Sequence, residues 1–183
     1  WSSDVCSSDL KIYNSRVQFI IQQPGESSYY SEYGGMLIDA DITRPEGVPG
    51  RDCFDELGPM IGLARVVNAE TVEVISDGQD GAAIVRVSGP TAPLDLVTGA
   101  LENPGLVPDW DLWAVTDYRL EPDSNLLSIH TTVTNRDAEA HSYGIGEAGF
   151  LSLEAVERYQ PVTGLGEISG EGGWTGVVGR HNE

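Results

Sequence analysis

Basic residues are scarce in this chain. Ten Lys and Arg stand against 29 Asp and Glu in 183 residues, a formal net charge of −19. Nine of the ten bases are Arg, and Lys11 is the only lysine. Nucleic acids and anionic membrane surfaces both demand basic patches, so neither is expected as a partner. Long apolar runs are lacking too, which excludes a membrane-inserted helix. The three histidines, His130, His141 and His181, show neither HExxH spacing nor a second His two or four residues away, so no zinc motif is present. No GxSxG elbow, phosphate loop or dinucleotide fingerprint occurs. At 40% hydrophobic residues the composition is nonetheless that of a folded domain.

The opening ten residues, WSSDVCSSDL, repeat Ser-Ser-Asp at 2–4 and 7–9 and lack the basic start and apolar core of a signal peptide. Back-translated with one codon choice per residue, they resemble a common short-read sequencing adapter in one frame. That resemblance implies that residues 1–10 are foreign, and that 11–183 form a single domain that is a piece of a longer protein. Any export signal would then lie upstream. Without Asp4 and Asp9 the net charge is −17. Without Cys6, Cys53 stands alone, so no internal disulfide and no cysteine metal cluster is expected. Asp52, Asp55 and Glu56 beside it disfavour a thiolate nucleophile, and Cys53 reads as a packing residue.

What the sequence has is alternation. RVQFIIQ (16–22) puts Val17, Phe19 and Ile21 on one face, and MLIDADI (36–42) follows a Gly34-Gly35 pair, which predicts an opening antiparallel pair. TVEVIS, DGQDG and AAIVRVSG form a hairpin, with Asp and Gly supplying the turn. LWAVTDYRL (112–120), EPDSN and LLSIHTTVTN (126–135) form a second hairpin. In its return strand Leu127, Ile129, Thr131 and Val133 share one face, and Ser128, His130, Thr132 and Thr134 the other. One polar face along such a strand marks a sheet with one side in water. A short helical turn is expected near Phe54–Leu63, a proline-rich loop over 88–111, a short helix over LSLEAVERY (151–159), and a strand starting at Trp174–Val178. The fold expected is all-β, an antiparallel β-sandwich, incomplete at both ends.

The order of these features resembles the galactose-mutarotase-like supersandwich. The residues that carry the likeness are Asn14-Ser15-Arg16-Val17, Gly34-Gly35-Met36-Leu37-Ile38, Tyr118-Arg119-Leu120 and Thr131-Thr132-Val133-Thr134-Asn135. It spans about residues 14–150, and implies a sandwich module of a secreted, multidomain bacterial protein, placed outside the cell or in its envelope. The family holds a catalytic His soon after the Asn-ending strand. Here that place reads Gly144-Ile145-Gly146-Glu147-Ala148-Gly149-Phe150, and His141 lies earlier. Sugar ring opening needs a general acid and a general base, so mutarotase activity is not expected.

Candidate ligand-binding residues are Trp113, His130 and Glu147. Trp113 belongs to an aromatic set with Tyr29, Tyr30, Tyr33 and Trp110, and sugars stack on such rings. Asp77 and Asp80 offer oxygen ligands for calcium, although hairpin-turn chemistry is the commoner use of that spacing. No other cofactor is expected. Asp39 and Asp41, two apart on one strand face, could bind a metal, but facing solvent is the commoner use of such a pair. Three functions follow in order: a non-catalytic module acting as spacer or interaction domain, a carbohydrate-binding module, and a fragment of a sugar-active epimerase or lyase. The partners are correspondingly neighbouring domains or a glycan.

Overall fold

Period-two alternation becomes strand throughout. The structure, a computed structural model, describes residues 8–50, 54–62, 64–96, 107–151, 156–161, 163–166 and 176–179. Its strands are β1 (Leu10–Tyr13), β2 (Val17–Ile21), β3 (Leu37–Ile42), β4 (Phe54–Ile61), β5 (Arg65–Val67), β6 (Thr71–Asp77), β7 (Ala83–Pro93), β8 (Leu112–Leu120), β9 (Leu127–Asn135), β10 (Ile145–Leu151), β11 (Val156–Gln160), β12 (Gly164–Leu165) and β13 (Gly176–Gly179). Every pairing is antiparallel, as expected for this fold class. No helix among the described residues is long and apolar enough to cross a membrane.

Ten strands form one hydrogen-bonded path that doubles over on β7. Residues 83–90 of β7 lie between β6 and β8, whereas Thr91–Pro93 pair with β5. One layer therefore holds β1–β5 with β10 along β4, and the other holds β6–β9. Their facing sides bury one core: Ile12, Val17, Ile21, Leu37 and Ile61 from the first layer meet Val85, Val87, Leu112, Ala114, Tyr118 and Leu120 from the second. A second apolar cluster (Met36, Ile38, Val66, Leu94 and Val107, with Tyr29, Tyr33, Met60 and Phe150) covers the other side of the first layer. The middle of the first sheet is thus covered on both faces, whereas β1 and the start of β10 keep exposed residues. The second has one face in water.

Gly35 shows why a glycine leads β3. Its φ is +90°, and an added Cβ would lie 2.6 Å from Val87 Cγ1 and 2.8 Å from the Ala69 methyl. The backbone must approach the second layer closely there, and only glycine has the conformational freedom and the room.

Both predicted hairpins form in register: Thr71 faces Ser88 across β6–β7, and Leu112 through Leu120 face Asn135 through Leu127 across β8–β9. Three local expectations are corrected. The helical turn near Phe54–Leu63 is instead β4, because β10 along one edge and β3 and β5 beyond it claim its backbone groups, and because Pro59 disfavours a helix interior. Of the loop expected over 88–111, residues 88–93 are the end of β7, and 97–106 lie outside the described residues. Pro90 and Pro93 sit where β7 changes sheets, a place where a missing ladder N–H is tolerated. Of the helix expected over 151–159, Leu151 ends β10 and 156–159 lie in β11, which pairs with β12 and β13, while 152–155 lie outside the described residues; an isolated helix of that length is marginal. The strand expected from Trp174 is described at Gly176–Gly179, and Trp174 lies outside the described residues, as do Cys53 and Trp1–Ser7. Of the opening ten residues, Leu10 pairs with Ile21, and Asp9 Oδ1 accepts the Gln23 N–H at 2.9 Å.

Candidate functional site

The solvated face of β6–β9 is built by the alternation that buries Ala114, Thr116 and Tyr118 on the other side. Cross-strand register sets its outward residues in rows. One row runs Glu73, Arg86, Asp117, His130, the next Thr71, Ser88, Val115, Thr132, and a third Pro90, Trp113, Thr134. Arg86 grips Asp117 through two bonds of 2.7 Å. That guanidinium, with His130 adding its charge, holds the Asp117 carboxyl below the usual carboxylate range. Thr71 and Ser88 hydroxyls meet at 2.7 Å. The face is a field of hydroxyls and paired charge with one large ring at its end.

That ring is Trp113. The Arg136 guanidinium lies over it, 4.0 Å from the centroid. Trp113 and His130, both candidate ligand contacts from sequence, share this face, but in different rows. Thr134 is the residue opposite Trp113, so His130 is four residues down β9, about 13 Å along the strand. Glu147 is elsewhere. It sits on β10 opposite Pro59, in the first layer, and the structure does not bring it to the Trp113–His130 face. Although the residue is exposed, partial burial of its carboxyl pushes the pKa up.

Around the end of β9 lies a second cluster that sequence reasoning missed. Trp110 stacks on His141 at 4.9 Å and 19°, and Tyr143 leans against the same indole at 5.5 Å. His141 Nε2 is 2.6 Å from Asp137 Oδ2, which also accepts the Asp111 N–H at 3.0 Å. The buried Arg65 holds the underside. Its Nε donates to Thr91 Oγ1 (2.9 Å), Nη1 to the Pro108 carbonyl (2.6 Å), and Nη2 to the Thr91 and Trp110 carbonyls (2.5 and 3.1 Å). Burial lowers its pKa. With one ring nitrogen engaged by Asp137 and one ring face on Trp110, His141 closes the end of the sandwich and braces the loop that carries Arg136. The local signal is Asp137, His141 and Tyr143 close together after β9, but Trp110 lies before β8, and nothing in the spacing says that they meet.

The candidate calcium ligands fall in the β6–β7 turn. Asp77 Oδ1 accepts the Gln79 N–H at 3.0 Å, and Oδ2 accepts Gln79 Nε2 at 2.8 Å. Gly78 and Gly81 adopt φ of +81° and +150°, so Asp77 acts in the turn itself. Among the described residues no group of three or more His, Cys, Asp or Glu side chains is placed to hold a metal ion. Asp39 and Asp41, expected in solvent, are half-buried. Asp41 is bound by Arg44, three residues on, at 2.7 and 3.2 Å.

No family model, no curated protein and no solved structure matches this chain.

Proposed function

We propose that the chain is a non-catalytic β-sandwich module of a larger exported bacterial protein, acting as a spacer and interaction domain through the outer face of β6–β9. The observation that carries this reading is the face itself. Hydroxyls, a bidentate ion pair and one indole are set in register on a four-stranded sheet, whereas apolar clusters cover both faces in the middle of the opposite layer. Side chains fixed on a sheet lose little freedom on binding, which favours recognition by a preformed surface. Carbodiimide footprinting tests it. The exposed Glu73 should label in the chain alone and be protected in the complete protein encoded by the source DNA. Equal labelling in both would defeat the proposal.

A glycan ligand is the second reading, favoured by Trp113 beside Thr134 and Thr132. An indole flanked by hydroxyls suits a sugar ring, and Arg136 would have to move off the indole face it now covers. A glycan-array signal lost in Trp113→Ala supports this reading, and an array without signal removes it.

A further inference from the structure

The side of the first sheet that faces away from β6–β9 is covered by a strap, residues 22–35, held from beneath by a carboxylate. Glu56 of β4 is 1% exposed. Its Oε2 accepts the Ser31 N–H at 2.9 Å, and the Tyr30 N–H also donates to this carboxyl. Its buried Oε1 has no hydrogen-bond partner among the described residues. Directly across the β4–β10 ladder from Glu56 is Phe150, and the Tyr30 ring stacks on Phe150 at 4.2 Å and 15°. The strap closes on itself through Ser27 N–H to Glu32 carbonyl and Gly34 N–H to Gly25 carbonyl, both 3.0 Å. Within this bend lies a solvent-facing pocket of about 500 Å³ lined by Gly25, Glu26, Ser27, Glu32, Tyr33 and Asn68, with Gly25 and Glu26 exposed at its rim.

A carboxylate so placed is costly when charged and tolerable as the neutral acid, because one oxygen lacks a donor and water is excluded. The ionisable groups around it all favour neutrality. They are Glu32 on the strap and Asp55 on its own strand; the Tyr118 phenol of β8, its pKa raised by burial and by Glu147 and Glu56, stays uncharged while Glu56 titrates. Only the two strap N–H groups favour the anion. The net effect, with burial foremost, pushes the carboxyl up to about 7.

We propose that Glu56 is a protonation-controlled latch: as the neutral acid it holds the strap on the sheet and keeps the pocket formed, and its ionisation shifts the strap toward release. Release hydrates the charge, parts Tyr30 from Phe150, and takes the pocket apart, since five of its six lining residues belong to the strap. The device would tie whatever the pocket admits to the acidity of the surroundings.

Hydrogen exchange of the full chain, read over peptides covering 24–35 and corrected for intrinsic rates, tests the latch. Strap opening should rise roughly tenfold per pH unit between the free and the buried pKa, from about pH 5 to 7, and level off above. Glu56→Gln, neutral at every pH, should show no such rise. The same rise in Glu56→Gln, or none in the natural chain, would overturn the proposal. A measurement independent of any variant is the ¹³C shift of the Glu56 carboxyl in the natural chain. A midpoint near 7 supports the latch, and one near the free value of 4.5 removes it.

Discussion

The hydroxyl of Tyr118 on β8 donates to the carbonyl of Gly35, at the entry to β3, at 3.1 Å across the core and 83 residues along the chain. Tyr118 is fully buried, and burial raises its phenol far above the usual range. This bond joins the layers at the place where Gly35 makes its close approach to Val87. Tyr118→Phe should therefore cost about 1–2 kcal/mol, the loss of one buried hydrogen bond with an orphaned carbonyl. Gly35→Ala should cost more, since it adds both overlap and a disfavoured φ. Urea unfolding of the two variants, with unchanged m-values, checks the order.

Arg65 is a second cross-chain anchor, with three guanidinium nitrogens satisfied mainly by carbonyls. Arg65→Met should destabilise by about 3 kcal/mol, because the Thr91, Pro108 and Trp110 carbonyls lose charge-assisted partners. Arg65→Lys should not rescue, since an ammonium cannot span the same fork. The near-UV circular dichroism of Trp110 should diminish in both variants. Retention of that band in Arg65→Met would show that the loop holds without the guanidinium.

The pH dependence of stability follows from Glu56. Its folded pKa, about 7, is raised above the ordinary 4.5, so the fold binds this proton more tightly than the unfolded chain does. The contribution is fully present below about pH 4.5 and is lost as pH rises toward 7, amounting to about 3 kcal/mol. Denaturant midpoints should fall from pH 5 to pH 8 in the natural chain, and fall less in Glu56→Gln. Asp117 runs the other way. Its pKa is depressed by Arg86, so its contribution is present at neutral pH and lost on acidification below the carboxylate range.

Arg136 covers Trp113 from an exposed position on the loop after β9. Arg136→Ala should leave stability within about 1 kcal/mol, the scale of an exposed cation–π contact. It should also shift Trp113 emission to the red as the ring meets water. If a sugar stacks on that indole face, the same change should raise glycan affinity. Unchanged or weaker binding would place the ligand off the ring.

Much of the fold is legible locally. The two hairpins, β6–β7 and β8–β9, and the β2–β3 pair announce themselves because period-two burial and turn residues are short-range facts. The same alternation, in two strands joined by a short turn, puts Trp113 and His130 on one face. Local reading fails where distant partners compete with it. Pro90 and Pro93 read as loop until β5 and β8 supply the context in which a proline can sit in β7. Segment 151–159 reads as helix until β12 and β13 take its backbone.

By itself, then, the sequence determined the all-β class, the antiparallel hairpins, the acidic surface and the polar face, since each depends on residues close in the chain. Only the tertiary structure decided that Glu147 stands apart from Trp113, that Trp110, His141 and Asp137 close one end, and that Glu56 lies buried under residues 22–35. Those relations depend on how β7 carries the chain from one layer to the other and on which strand lies beside β4. Such choices are made by burying the whole core at once, and no local period encodes them.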